Sequence, residues 1–131
     1  MAKVTLDNLG AAVEKILDEY EADVLKGLSG ATAEVAKAGA AAVRTNARAT
    51  FGGTGAYARG WSSKTTTTRI GADAVIYNRT EYRLSHLLEN GHALKRGGRT
   101  IGRGFVQGRA HIEPVEEEIN ARYEKAVKDI I

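Results

Sequence analysis

The sequence predicts an α+β fold with a long N-terminal helix, a small antiparallel sheet containing a hairpin, one short helix and a C-terminal helix. Three observations predict it. Apolar residues recur at spacings of three and four through the first fifty positions; a Thr- and Ser-rich stretch around Trp61 precedes the compact apolar run Ala74-Val75-Ile76-Tyr77; and Pro114 opens an amphipathic tail. At 131 residues the chain has the length of a single domain. It divides into a helical arm (1–50), a middle segment with sheet, short helix and basic Gly-rich loop (51–111), and the last helix (112–131).

In the first helix Leu9, Val13, Ile16, Leu17, Tyr20, Val24, Leu25 and Leu28 form an apolar stripe, with Glu14, Lys15, Asp18, Glu19 and Glu21 between them. The stripe continues through Val35, Ala38, Ala42 and Val43, where small side chains permit close approach of another element. Unbroken from about Leu6 to about Arg48, this helix would be roughly 65 Å long, against about 35 Å for a globule of this size. Either Gly27-Leu28-Ser29-Gly30 breaks or kinks it, or it projects from the body and is covered by neighbours.

Glycine at three of four places makes Phe51-Gly52-Gly53-Thr54-Gly55 a flexible loop. A strand is expected within Tyr57 to Ile70; Thr65 to Thr68, polar on both faces, suit an edge. Gly71-Ala72-Asp73 supplies a turn and Ala74 to Tyr77 a better-buried partner strand. Thr80 can cap a short helix whose inner face is Leu84, Leu87 and Leu88, ended by Asn90-Gly91. Ala93 to Arg109, with Lys95, Arg96, Arg99, Arg103, Arg109 and five glycines, reads as a mobile loop with a strand near Gly104 to Gly108. Pro114 stands in the first turn of the last helix, followed by Glu116, Glu117 and Glu118 where acids are favoured. Val115, Ile119, Tyr123, Val127 and Ile130 make its apolar face.

Composition points to assembly. Of 56 apolar residues 21 are Ala, which leaves only 28 Leu, Ile, Val and Phe to build a core. A core this thin borrows burial from a partner or from copies of itself. The absence of cysteine excludes disulfides, thiolate zinc sites and cysteine nucleophiles, and fits a reducing compartment. Ala38 to Val43, the longest small apolar run, is far shorter than the roughly 20 residues of a bilayer span. The chain reads as soluble, without a targeting segment.

The net charge of +3 conceals an asymmetry: residues 1–43 carry 4 basic and 7 acidic groups, residues 44–111 carry 12 and 3, and residues 112–131 carry 3 and 6. A basic middle can face nucleic-acid phosphates or meet the acidic ends of a neighbouring copy.

Motifs for chemistry are sparse. His86 and Glu89, at i and i+3, share a helix face with His92 close behind, a pattern that suits metal ligands; helix capping by His92 and packing by His86 account for the same residues. His111 stands apart. Ser85 and His86 are adjacent and point different ways on a helix, with no acid to orient them, which argues against acyl transfer. Gly97-Gly98-Arg99 and Gly102-Arg103-Gly104 lack the ending of a phosphate loop. The acceptor pattern Asn78-Arg79-Thr80 carries little weight without a secretory signal. The same Gly/Arg loop can follow a nucleic-acid backbone, with Phe105 stacking.

Thr54-Gly55 before a hairpin, the run from Tyr82 through His86 and Glu89 to Gly91-His92, and then His111-Ile112-Glu113-Pro114-Val115-Glu116-Glu117-Glu118 together resemble the neck and tail-completion proteins of long-tailed bacteriophages. The likeness covers the order of elements across nearly the whole chain. It departs from the commoner pattern in having no proline before Thr54-Gly55 and Ala110 where a proline often precedes the final segment. The resemblance implies a non-enzymatic virion protein without cofactor or metal, assembled in the host cytoplasm as a ring of six or twelve copies. Other neck and tail proteins would be its partners, genomic DNA would pass through the lumen, and no membrane would be involved. The expected contact residues are Lys95, Arg96, Arg99, Arg103, Phe105 and Arg109 of the loop, with Tyr82, His92, Leu28 and Val35. The competing class is a small basic nucleic-acid-binding protein acting through the Gly/Arg loop.

Overall fold

The computed structural model describes residues 8–96 and 99–130, the side chains of residues 94–104 lying outside that description. The fold is α+β. Helix α1 (Leu9–Phe51) runs for 43 residues without interruption, so of the two alternatives the break at Gly27-Leu28-Ser29-Gly30 is the one that does not occur. A glycine costs a helix only about 1 kcal/mol, and the missing side chain at Gly27 makes room for Ile130, whose Cγ2 lies 3.2 Å from where a Cβ would stand. The helix ends where the sequence demands. Gly52, Gly53 and Gly55 all have positive φ, between 60° and 77°.

After that loop come α2 (Ala56–Arg59), β1 (Trp61–Thr68), β2 (Gly71–Asn78), α3 (Tyr82–Asn90), β3 (Gly91–Arg96), β4 (Arg99–Gln107) and α4 (Glu113–Ile130). The strands form two separate antiparallel pairs, β1 with β2 and β3 with β4. Helix α4 lies antiparallel on α1: Val115 joins Val43 and Ala47 in the core, Ile119 meets Gly39, and Ile130 meets Gly27. The stripe of small residues on α1 allows this approach. A Cβ on Gly39 would collide with Ile76 of β2 and stand 3.2 Å from Ile119 Cγ1. Thr32 fixes the register: its hydroxyl donates to the Leu28 carbonyl at 2.7 Å, so the Tyr123 hydroxyl donates to Thr32 at 2.8 Å. Among the described residues the core is small: Val43, Ala47, Ala58, Trp61 and Val115 cluster with Phe51, Tyr57, Ile76, Ile112 and Ile119 around them, and Val35, Ala36 and Ala40 are buried farther along α1.

Several expected boundaries move. The turn of the first hairpin is Arg69-Ile70, and Gly71, Ala72 and Asp73 belong to β2, where they pair with Thr68, Thr67 and Thr66. Turn-forming composition yields here to the ladder, which keeps every position from Trp61↔Asn78 to Thr68↔Gly71 in register. Tyr57 sits in α2, ahead of the strand. Strand β2 is not the better-buried partner: only one face meets α1, so Ile76 and Asn78 turn inward while Val75 and Tyr77 are exposed. Thr80 does not cap α3. Asn78 Oδ1 accepts the Thr80 and Glu81 N–H groups at 3.2 and 2.7 Å and so forms the turn into the helix. The expected mobile loop after α3 is largely a β-hairpin, with pairing from Gly91↔Gln107 to Arg96↔Arg99 and an irregularity between Ala93 and Lys95. Its glycines leave the backbone free to pair; Gly97 and Gly98 lie outside the described residues.

Candidate functional site

The N-terminal third of α1 projects beyond the body. From Asn8 to Asp23 every residue except Ala12 is exposed, an arm of about 24 Å at 1.5 Å per residue. Along it Leu9, Val13, Ile16, Leu17 and Tyr20 are between 46% and 64% exposed. At about 100° per residue these five side chains fall on one side of the helix. Glu14 and Glu21 border that stripe on one edge, and Glu19 and Asp23 on the other.

The second surface is the β3–β4 hairpin. Phe105 and Val106 on β4 are 60% and 41% exposed. Lys95 and Arg96 lie on β3, and Arg99 and Arg103 on β4; their side chains lie outside the described residues. Arg109 closes the base of the hairpin, donating from Nη1 to the Thr50 carbonyl at 3.0 Å and from its backbone N–H to Leu88 O at 2.8 Å. His92 is half-buried, beside Val106 and Phe51. Tyr82 is exposed at the start of α3. Leu28 is half-buried, and Val35 is buried by this chain's own packing, which removes it from the surface open to a neighbour.

Between these surfaces lies a buried polar cluster whose pairings no local spacing announces. His111 is fully buried and ringed by Phe51, Tyr57 and Trp61 in edge-on contacts. Its Nδ1 faces two acceptors, Arg109 O at 2.9 Å and Glu89 Oε2 at 2.8 Å, so Nδ1 carries the hydrogen. In the neutral ring Nε2 then accepts from the Tyr57 hydroxyl at 2.6 Å. Glu89 also receives the N–H groups of His111, Ile112 and Glu113 at 2.8 to 3.0 Å, and so caps α4 from a different helix. Burial works to raise the Glu89 pKa, yet the three backbone donors and His111 outweigh it and hold the carboxyl below its ordinary value of 4.5. Burial pushes the Tyr57 hydroxyl up. Ser85 Oγ and Trp61 Nε1 are buried beside it without a hydrogen-bond partner.

Glu89 is therefore committed to α4 and His111. The grouping with His86 and His92 that their spacing allowed does not form, and among the described residues no cluster of three His, Cys, Asp or Glu can hold a metal ion. His92 Nδ1 contacts the Ala93 carbonyl, and the Leu88 carbonyl at the end of α3 accepts the Arg109 N–H. Asn78 is buried, with Nδ2 donating to Tyr57 O at 2.8 Å, so its amide is used within the fold. No described helix is long and apolar enough to cross a membrane. Comparison with known proteins finds no matching family model, no matching curated protein and no matching solved structure.

Proposed function

We propose that the chain is a structural subunit of a long-tailed phage neck, one that forms a ring joining or completing the head–tail junction, with assembly rather than catalysis as its task. The observation that carries this reading is the arm: a helix of 43 residues that leaves five large apolar side chains uncovered on one side. Such a stripe stabilises nothing in an isolated chain, and exposed contiguous apolar surface marks a site of association. The order of elements supports the same reading, with Thr54-Gly55 before the first hairpin, α3 ending in Glu89-Asn90 ahead of Gly91-His92, and α4 opening at Glu113-Pro114.

The test is electron microscopy of lysates from the phage that encodes the chain, with a nonsense codon placed early in its gene. Filled heads beside separate tails are expected. Intact infectious particles would overturn the proposal.

A second reading is favoured by one observation: Gly91 to Arg109 contains five basic residues and no acid, with Phe105 exposed among them. A nucleic-acid site there would lose affinity steeply with added salt. Ring contacts built on the apolar arm would persist.

A further inference from the structure

The molecule carries two surfaces that match each other and that one chain cannot bring together. The arm, Asn8 to Asp23, has five acids and one lysine; the hairpin segment, Gly91 to Arg109, has five basic residues and no acid. Four of those acids border the apolar stripe, and Lys15 lies on the far side of the helix. The hairpin likewise combines charge with apolar contact, at Phe105, while Val106, next to it on the strand, takes the opposite face and lines the cleft with Phe51 and His92. Their lengths agree: the arm measures about 24 Å, and the nine residues of β4 span about 30 Å.

Position decides between contact within a chain and contact between chains. Arg109 ties the base of the hairpin to Thr50, at the C-terminal end of α1. Phe51 lines a cleft with His92 and Val106. The nearest end of the arm, Asp23, is about 42 Å back along the same rigid helix, beyond the reach of a strand of about 30 Å. Pairing arm with arm would set two strongly acidic surfaces face to face, which electrostatics disfavours.

We propose that the arm of one copy docks lengthwise on the β3–β4 hairpin of the next. The inference rests on the subunit reading and names the faces the subunits use. Because the two faces differ, the contact is heterologous, and repetition closes a ring or extends a filament. The apolar stripe supplies adhesion on docking, while the acids along its edges meet the basic hairpin and set polarity.

The test uses full-length protein in sedimentation velocity at low and moderate salt. The double variant Ile16→Asp/Leu17→Asp disables the arm, and Phe105→Asp disables the hairpin; all three side chains are exposed, and far-UV circular dichroism checks that each variant folds. Each variant alone is expected to lose the higher assemblies of the wild type, with association weakened about 30-fold or more. Mixed in equal amounts, they retain one intact arm and one intact hairpin, and so form a species of two chains and nothing larger. A second pair keeps the result independent of the apolar changes: Glu14→Arg/Glu21→Arg weakens assembly, and adding Arg99→Glu/Arg103→Glu to the same chain restores it. If the wild type assembles but the hairpin variant assembles equally well, or the mixture stays monomeric, the docking proposal falls and the subunit reading stands. A hairpin variant that loses only DNA binding has the same meaning. A wild type that remains monomeric at every concentration overturns both.

Discussion

Replacing Glu89 by Ala removes the one side chain that closes the N-terminus of α4, and its cost can be worked from the contacts. The carboxylate accepts three backbone N–H groups, and two of these bonds, from His111 and Ile112, are partly buried. Orphaning a buried donor costs about 1–3 kcal/mol, and losing a helix N-cap typically costs about 1 kcal/mol. His111 Nδ1 keeps Arg109 O as an acceptor, which limits the damage on that side. The expected loss is about 2–4 kcal/mol, a large part of the roughly 5–15 kcal/mol that stabilises an ordinary domain. It would lower the melting temperature by roughly 10 °C or more. The pH dependence has a definite sign. The folded Glu89 carboxyl titrates below its ordinary value of 4.5, so its contribution is complete above that value and is lost as pH falls through the lower folded pKa. Urea unfolding followed by circular dichroism should therefore separate wild type from Glu89→Ala widely at pH 7 and progressively less below pH 4.5. Equal stability at neutral pH would refute the capping role, as would a difference that stays constant into acid.

Two further outcomes follow from the same region. Tyr57→Phe removes the hydroxyl that donates to His111 Nε2 and leaves a fully buried ring nitrogen unsatisfied, for an expected loss of about 1–3 kcal/mol in urea unfolding; a neutral result would mean that the ring does not depend on Tyr57. Gly91→Ala should cost about 2–4 kcal/mol, because Gly91 has φ +88° and its Cβ would meet the Val106 carbonyl and the Gly108 nitrogen. A thermal melt checks it, and a variant as stable as wild type would show that the backbone there relaxes freely.

What the sequence discloses follows from how local each signal is. Helix α1 and its overlong stripe are legible because residues three and four apart report their shared face directly. The same holds for α4, where Pro114 marks the start and Val115 to Ile130 line the inner side. The small residues of the stripe through Ala38 and Ala42 announce close packing by their size, although the buried small positions prove to be Ala36, Gly39, Ala40 and Ala47. The turn at Arg69-Ile70 is hidden because neither residue carries turn chemistry, while Gly71-Ala72-Asp73 does and is paired in β2. Helix α2 is only four residues long, too short for a period to show. The polar cluster is harder still: His111 meets Tyr57 from 54 positions away and Glu89 from 22, so each residue read alone looks isolated. Of the proposed docking surfaces, the arm and the charge of the hairpin were legible. Their placement at opposite ends of one rod was not, because it depends on α1 remaining unbroken.

The β3–β4 hairpin leaves and rejoins the chain at nearly one point. Gly108 packs against Asn90 and Gly91, and Arg109 N–H bonds Leu88 O on the far side of the excursion. Because closing such a loop depends only weakly on its length, the segment is a modular insert whose size and composition can drift while the host fold stays intact. The proposed docking of a neighbouring copy can thus evolve through the insert separately from the foldability of the rest.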